Sequence, residues 1–66
     1  VSTMGSLSEC KICKLDNSVC YKGYLWARDD GTLEAFWHEA GLRVTRFFDA
    51  KGKQLGAWKQ YALTRE

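Results

Sequence analysis

The chain has 66 residues, 45% of them hydrophobic, with 3 tryptophans, 3 tyrosines, 3 phenylalanines, no proline and a net charge of +2. This length supports one hydrophobic core, which excludes a second domain, and the apolar and aromatic content excludes a chain too polar to fold. No stretch approaches the ~20 apolar residues of a membrane helix, and residues 1–9 lack the charged start and apolar centre of a secretory signal, so the expected setting is cytoplasmic, away from membranes.

Residues 1–9 (VSTMGSLSE) are small and polar and read as a flexible N-terminus, leaving residues 10–66 as a single small globular domain. The stretch ECKICKLDNSVCY then holds all 3 cysteines. Cys10 and Cys13 have the C-x-x-C spacing at which a tight turn aims two thiolates at one tetrahedral zinc. Cys20 offers a third thiolate and His38 the fourth ligand, and a domain this small gains from a metal clip. Two other readings stand beside one bound zinc ion. Three reduced thiols, with Cys20 starting a strand as a small core residue, need no cofactor. A disulfide leaves one thiol over, since an odd number cannot pair completely. His38, between Trp37 and Glu39, reads equally as a hydrogen-bonded, partly buried histidine.

From Val19 onward turn signals recur at short intervals. Asp29-Asp30-Gly31, Glu39-Ala40-Gly41 and Asp49-Ala50-Lys51-Gly52 each end in a glycine suited to positive φ. The intervening segments VCYKGYLWAR, TLEAFWH, LRVTRFF and QLGAWKQYA are rich in aromatic and β-branched residues, the pattern of a β-meander. Residues 32–41 fit two periods. Leu33, Phe36, Trp37 and Ala40 have helical spacing with Gly41 as a stop, whereas Leu33, Ala35 and Trp37 alternate as one face of a strand. LRVTRFF-DAKG-KQLGAW reads as a hairpin with Leu42, Val44 and Phe48 on one side, Arg43, Thr45 and Phe47 on the other, and Arg46 interrupting the inner row. At the C-terminus Leu55, Trp58 and Ala62 repeat with helical spacing among good helix formers. The expected fold is thus mainly β to α+β, a three- or four-stranded antiparallel meander with a short C-terminal helix as an option.

Charge is uneven: four basic and six acidic side chains precede Leu42, and six basic and two acidic ones follow from there. No glycine-rich phosphate loop, nucleophile elbow or zinc-protease motif is present, and the paired Asp29 and Asp30 beside Gly31 read as turn formers, so no enzyme is expected. Aromatics interleaved with cations instead suggest stacking and phosphate contact on a sheet face. The residues expected to bind nucleic acid or another partner are Trp26, Arg43, Arg46, Phe47, Lys51, Lys53 and Trp58. The run RVTRFFDAKGKQLGAWKQYA is similar to the strand-to-helix end of the small three-stranded DNA-binding domains that open some phage-type integrases. That resemblance implies DNA binding and a helix after the last hairpin. The alternative function is a protein-interaction or inhibitory module, with or without zinc, using an exposed aromatic such as Trp26, Trp37 or Phe47 with arginine beside it, or an unpaired sheet edge, with a homodimer as one form.

Overall fold

The structure is a computed structural model that describes residues 7–65. The chain forms β1 (Ser8–Lys14), β2 (Cys20–Ala27), β3 (Leu33–Glu39), β4 (Leu42–Phe48) and β5 (Tyr61–Arg65). They make one 5-stranded antiparallel sheet of order β4-β3-β2-β1-β5. The expected antiparallel meander is present, with five strands in place of three or four. Of the N-terminal segment expected to be flexible, residues 1–6 lie outside the described residues, while Ser8 and Glu9 open β1.

Within residues 32–41, Leu33–Glu39 forms a strand and not a helix. Leu33, Ala35 and Trp37 are buried, Glu34, Phe36 and His38 point to the other face, and hydrogen-bonded strands flank β3 on both sides. Gly41 serves a tight hairpin turn in which Ala40 and Gly41 both have positive φ, 49° and 80°, the backbone that matches the twist of two paired strands.

The optional C-terminal helix is corrected, as is the helix implied by the integrase resemblance: among the described residues there is none. Residues 56–59 form an irregular bend, and Tyr61–Arg65 pairs with β1 from Cys10 to Lys14. Helix propensity is a weak prior, and here β1 offers a hydrogen-bonding edge to a segment whose Tyr61 and Leu63 alternate inward. β1 itself carries Cys10 and Ile12 inward, opposite Gly23 and Tyr21 of β2.

The inner face gathers Cys10, Ile12, Leu25, Leu33, Ala35, Trp37, Phe48 and Tyr61 into the core, with Tyr21, Val44 and Leu63 packed against it. Gly23 sits within this face because the sheet curls there. A Cβ at that position would meet the Phe36 carbonyl oxygen at 2.5 Å, Ile12 Cδ1 at 2.6 Å and Trp37 Cβ at 3.0 Å, a close approach that only glycine permits.

The two ends of the sheet are joined through the segment between β4 and β5. Gln54 bridges Phe48, and Lys53 bridges Ala62 of β5. The Gln54 side chain, 6% exposed, accepts a hydrogen bond from the Tyr61 N–H (2.9 Å) and donates to the Lys59 carbonyl (3.0 Å). Tyr61 also sets its ring edge-on against Trp37 at 4.8 Å. Its hydroxyl donates to Glu39 Oε1 (2.7 Å), the oxygen that also accepts from Trp37 Nε1 (2.8 Å). A strand that is not a neighbour of β5 is thereby tied to it, and the two ends of the sheet are drawn toward one another.

This contact fixes two ionisations. Partial burial works to raise the Glu39 carboxyl, but the hydrogen bonds from Tyr61 and Trp37, with Lys59 and Lys14 nearby, outweigh it and hold Glu39 below its ordinary range. Burial, then the hydrogen bond to Glu39, pushes the Tyr61 hydroxyl from 10.0 up to about 12. A depressed Glu39 contributes stability above the ordinary carboxylate range and loses it as pH falls through its folded value. A raised Tyr61 contributes stability below pH 10.0 and loses it as pH climbs toward about 12.

Tyr61→Phe should therefore cost about 1–2 kcal/mol in urea unfolding at neutral pH, and the variant should lack the alkaline loss of stability that the parent shows between pH 10.0 and about 12. Gly23→Ala should lower the free energy of unfolding by about 2 kcal/mol or more, since backbone and core both resist the added methyl; an unchanged unfolding curve would show that the inner face is looser than described.

Candidate functional site

The four residues expected to hold zinc do not converge. Cys13 and Cys20, directly opposite on β1 and β2, form a disulfide. Cys10 is buried on the inner face of β1, whereas the disulfide joins the two strands on the outer side. His38 is exposed on β3, opposite Arg43 of β4. Among the described residues no group of three or more histidine, cysteine, aspartate or glutamate side chains is arranged to hold a metal. The C-x-x-C spacing is defeated by strand geometry: residues three apart on an extended strand point to opposite faces. The disulfide closes a loop across a sequence separation of 7, and constraining that loop should stabilise the fold by about 2.5 kcal/mol. Adding a thiol reductant should lower the unfolding free energy measured in urea by about that amount, whereas a chelator should leave it unmoved; the reverse pattern would restore the metal.

The outer side of β2, β3 and β4 brings aromatic rings and guanidinium groups together. Period-two alternation sends Tyr24 and Trp26 outward from β2, Glu34, Phe36 and His38 from β3, and Arg43, Thr45 and Phe47 from β4. Register then fixes the rows: Tyr24 lies beside Phe36 and Phe36 beside Thr45, while Trp26 lies beside Glu34 and Glu34 beside Phe47. The Tyr24 and Phe36 rings are 5.9 Å apart and tilted. Arg43 lies over the Phe36 ring at 4.2 Å, and Arg28 over Phe47 at 4.7 Å. Tyr24 and Phe47 remain 39% and 41% exposed. On the adjoining part of the sheet Lys11 and Lys22 stand directly opposite one another, a like-charge pair that is unfavourable by itself, with Glu9 at 3.6 Å from Lys22.

The remaining expected residues divide. Trp26 is half-buried and shares a shallow depression with Arg28, Asp29 and Asp30. Asp30 is held below its ordinary range by hydrogen bonds from the Thr32 side chain and backbone, which favours the anion there. Arg46 lies over the Tyr61 ring at 5.9 Å and, with Thr45, Phe47, Leu55, Gly56 and Trp58, lines an open groove of about 570 Å³. Trp58 is 70% exposed. Arg46 donates to the Thr45 carbonyl (2.9 Å), and its Nε is buried without a hydrogen-bond partner. Lys51 and Lys53 lie in the connection after β4, where their backbone N–H groups donate to Asp49 Oδ1 (both 2.9 Å).

The structure thus brings Trp26, Arg43 and Phe47 onto one face, joins Phe47 to Arg46 and Trp58 in a groove, and leaves Lys51 and Lys53 apart. Tyr24, Arg28 and Phe36 are the site residues that sequence reasoning missed. Tyr24 was available from its i, i+2 relation to Trp26. Phe36 was hidden by the helix-or-strand ambiguity of its segment.

Among the described residues no helix is long and apolar enough to cross a membrane. Compared with protein families, curated proteins and solved structures, the chain shows no significant match.

Proposed function

We propose that this chain is a small non-enzymatic binding module that takes single-stranded nucleic acid on the outer face of β2, β3 and β4. The observation that supports this reading is the set Tyr24, Phe36 and Phe47 on one solvent-facing surface, with Arg43 and Arg28 lying over two of the rings. Bases stack on exposed aromatic faces with little sequence preference, and guanidinium groups beside those rings meet the phosphates. The β2–β3 turn bears Asp29 and Asp30 and bounds the face on that side, so the path favoured by charge runs from the Lys11 and Lys22 pair across Tyr24 and Phe36 to Arg43 and Phe47 on β4. The Cys13–Cys20 disulfide supports a non-reducing setting over the cytoplasm, because such bonds persist where thiols are not kept reduced.

Fluorescence anisotropy with labelled oligonucleotides tests the reading. Binding should weaken steeply as salt rises, and Arg43→Ala should reduce the slope of log affinity against log salt by about 1. Phe47→Ala or Tyr24→Ala should weaken binding by about 5- to 100-fold, the range of one lost base stack. Absence of binding at low salt, or affinity indifferent to both salt and Phe47, would overturn the proposal; a protein ligand sensitive to Trp58→Ala but not to salt would replace it.

A further inference from the structure

The connection between β4 and β5 holds an exposed tryptophan in a fixed place. Gly56 has φ 91°, and a Cβ there would stand 3.2 Å from Trp58 Cδ1 and 3.5 Å from Nε1, so the indole lies against backbone that glycine leaves bare. The Gln60 side-chain amide donates to the Gly56 and Trp58 carbonyls (both 3.0 Å), and the Gln54 amide donates to the Lys59 carbonyl. The loop is braced on both sides of the ring. Trp58 is nevertheless 70% exposed, and with Phe47 and Leu55, 41% and 42% exposed, it forms a continuous apolar surface around the groove. Contiguous exposed apolar surface with a polar border is the mark of a binding site.

Arg46 gives the same groove a charge. Its guanidinium makes one hydrogen bond, to the Thr45 carbonyl, and among the described residues no carboxylate lies within ion-pair distance of it. Its Nε is buried without a partner, which leaves the cation poorly compensated and favours an anion at its remaining N–H groups. None of the six lining residues is acidic. A cationic ligand is disfavoured here, and a purely apolar one would bury the guanidinium without a partner.

We infer that this groove binds a nucleotide, with the base stacked on Trp58 beside Phe47 and the phosphate at Arg46. Its volume of about 570 Å³ is that of a small-molecule site. Two aromatic rings and one guanidinium match a planar base joined to an anion. An aromatic amino acid with its carboxylate shares part of that chemistry, but Phe47 also belongs to the outer face of β4, so the groove continues the surface proposed to carry a single strand. The nucleotide has two possible sources, free in solution or the next nucleotide of a strand that has crossed Phe47. The second source rests on the reading given under Proposed function, and the first stands without it.

Titration of the ¹⁵N-labelled chain with adenosine 5′-monophosphate tests the site, read at the indole N–H signals of the 3 tryptophans. The Trp58 signal should move and saturate with a Kd of about 1 mM, the range that one stack and one charged contact supply, while the Trp37 signal stays. Adenosine, lacking the phosphate, should bind about ten-fold more weakly. Arg46→Gln should bring the nucleotide down to the adenosine value, an effect that lost packing alone would not give. Trp58→Ala, at an exposed position, should weaken both by about 5-fold or more. A short oligonucleotide that moves Trp58 together with Tyr24, Phe36 and Arg43 assigns the site to the strand, and movement of Trp58 by the mononucleotide alone assigns it to free nucleotide. A face that responds to oligonucleotide while Trp58 responds to neither probe would overturn this site and leave the face; a Trp58 response to the mononucleotide with a silent face would support the site and overturn the face. Equal binding of adenosine and its monophosphate, or tighter binding of N-acetylphenylalanine, would overturn the nucleotide assignment.

Discussion

Tyr61 is where the two ends of the sheet are held together. Its ring packs edge-on against Trp37, its hydroxyl donates to Glu39, and its backbone N–H donates to Gln54. These contacts tie the start of β5 to β3 and to the segment after β4, none of which neighbours it in the hydrogen-bonded order. Without them the sheet would keep its ladders but lose its closure, leaving the Trp37 side of the core open to water. The buried polar groups at this point are mutually satisfied: one Glu39 oxygen serves two donors, and one Gln54 side chain donates and accepts. Such a cluster is favourable only when complete. The irregular loop of residues 55–60 is held in place by the same glutamine, since Lys59 gives it a carbonyl to bind.

Closure decides which surface is left for function. With Leu33, Ala35 and Trp37 turned to the core, their alternating partners on β3 must face solvent, and the neighbouring strands follow in register. The aromatic residues therefore divide. Trp37, Phe48 and Tyr61 form the core, while Tyr24, Trp26, Phe36 and Phe47 remain on the other face. Exposed rings have a cost in solubility, and the guanidinium groups of Arg43 and Arg28 lying over Phe36 and Phe47 offset part of it. The same arrangement presents stacking surface and positive charge side by side.

Much of this architecture was legible in the residues. The turns at Asp29–Gly31 and Ala40–Gly41, the alternation in LRVTRFF and the interruption of its inner row at Arg46 all follow from local chemistry. Two strands were not legible. The cysteines of β1 drew the reading toward a metal, yet Cys10 and Cys13 fall on opposite faces once the segment is extended. β5 lies among helix-forming residues, and only the free edge of β1, a contact distant in sequence, makes it a strand. The site was half legible for the same reason: residue types announced aromatic and cationic chemistry, but register across three strands decides which of them meet. Arg43 and Phe47 were found by type, and Phe36 required the pairing of β3 with its neighbours.

The most direct measurement is a ¹H–¹⁵N correlation spectrum of the labelled protein, recorded with and without a short single-stranded oligonucleotide. The account predicts that amides of Tyr24, Trp26, Phe36, Arg43 and Phe47 shift together, with the Trp26 indole, while the buried Trp37 indole stays in place. Shifts confined to the Trp58 groove or to the β5 edge, or a spectrum unchanged by the oligonucleotide, would contradict it.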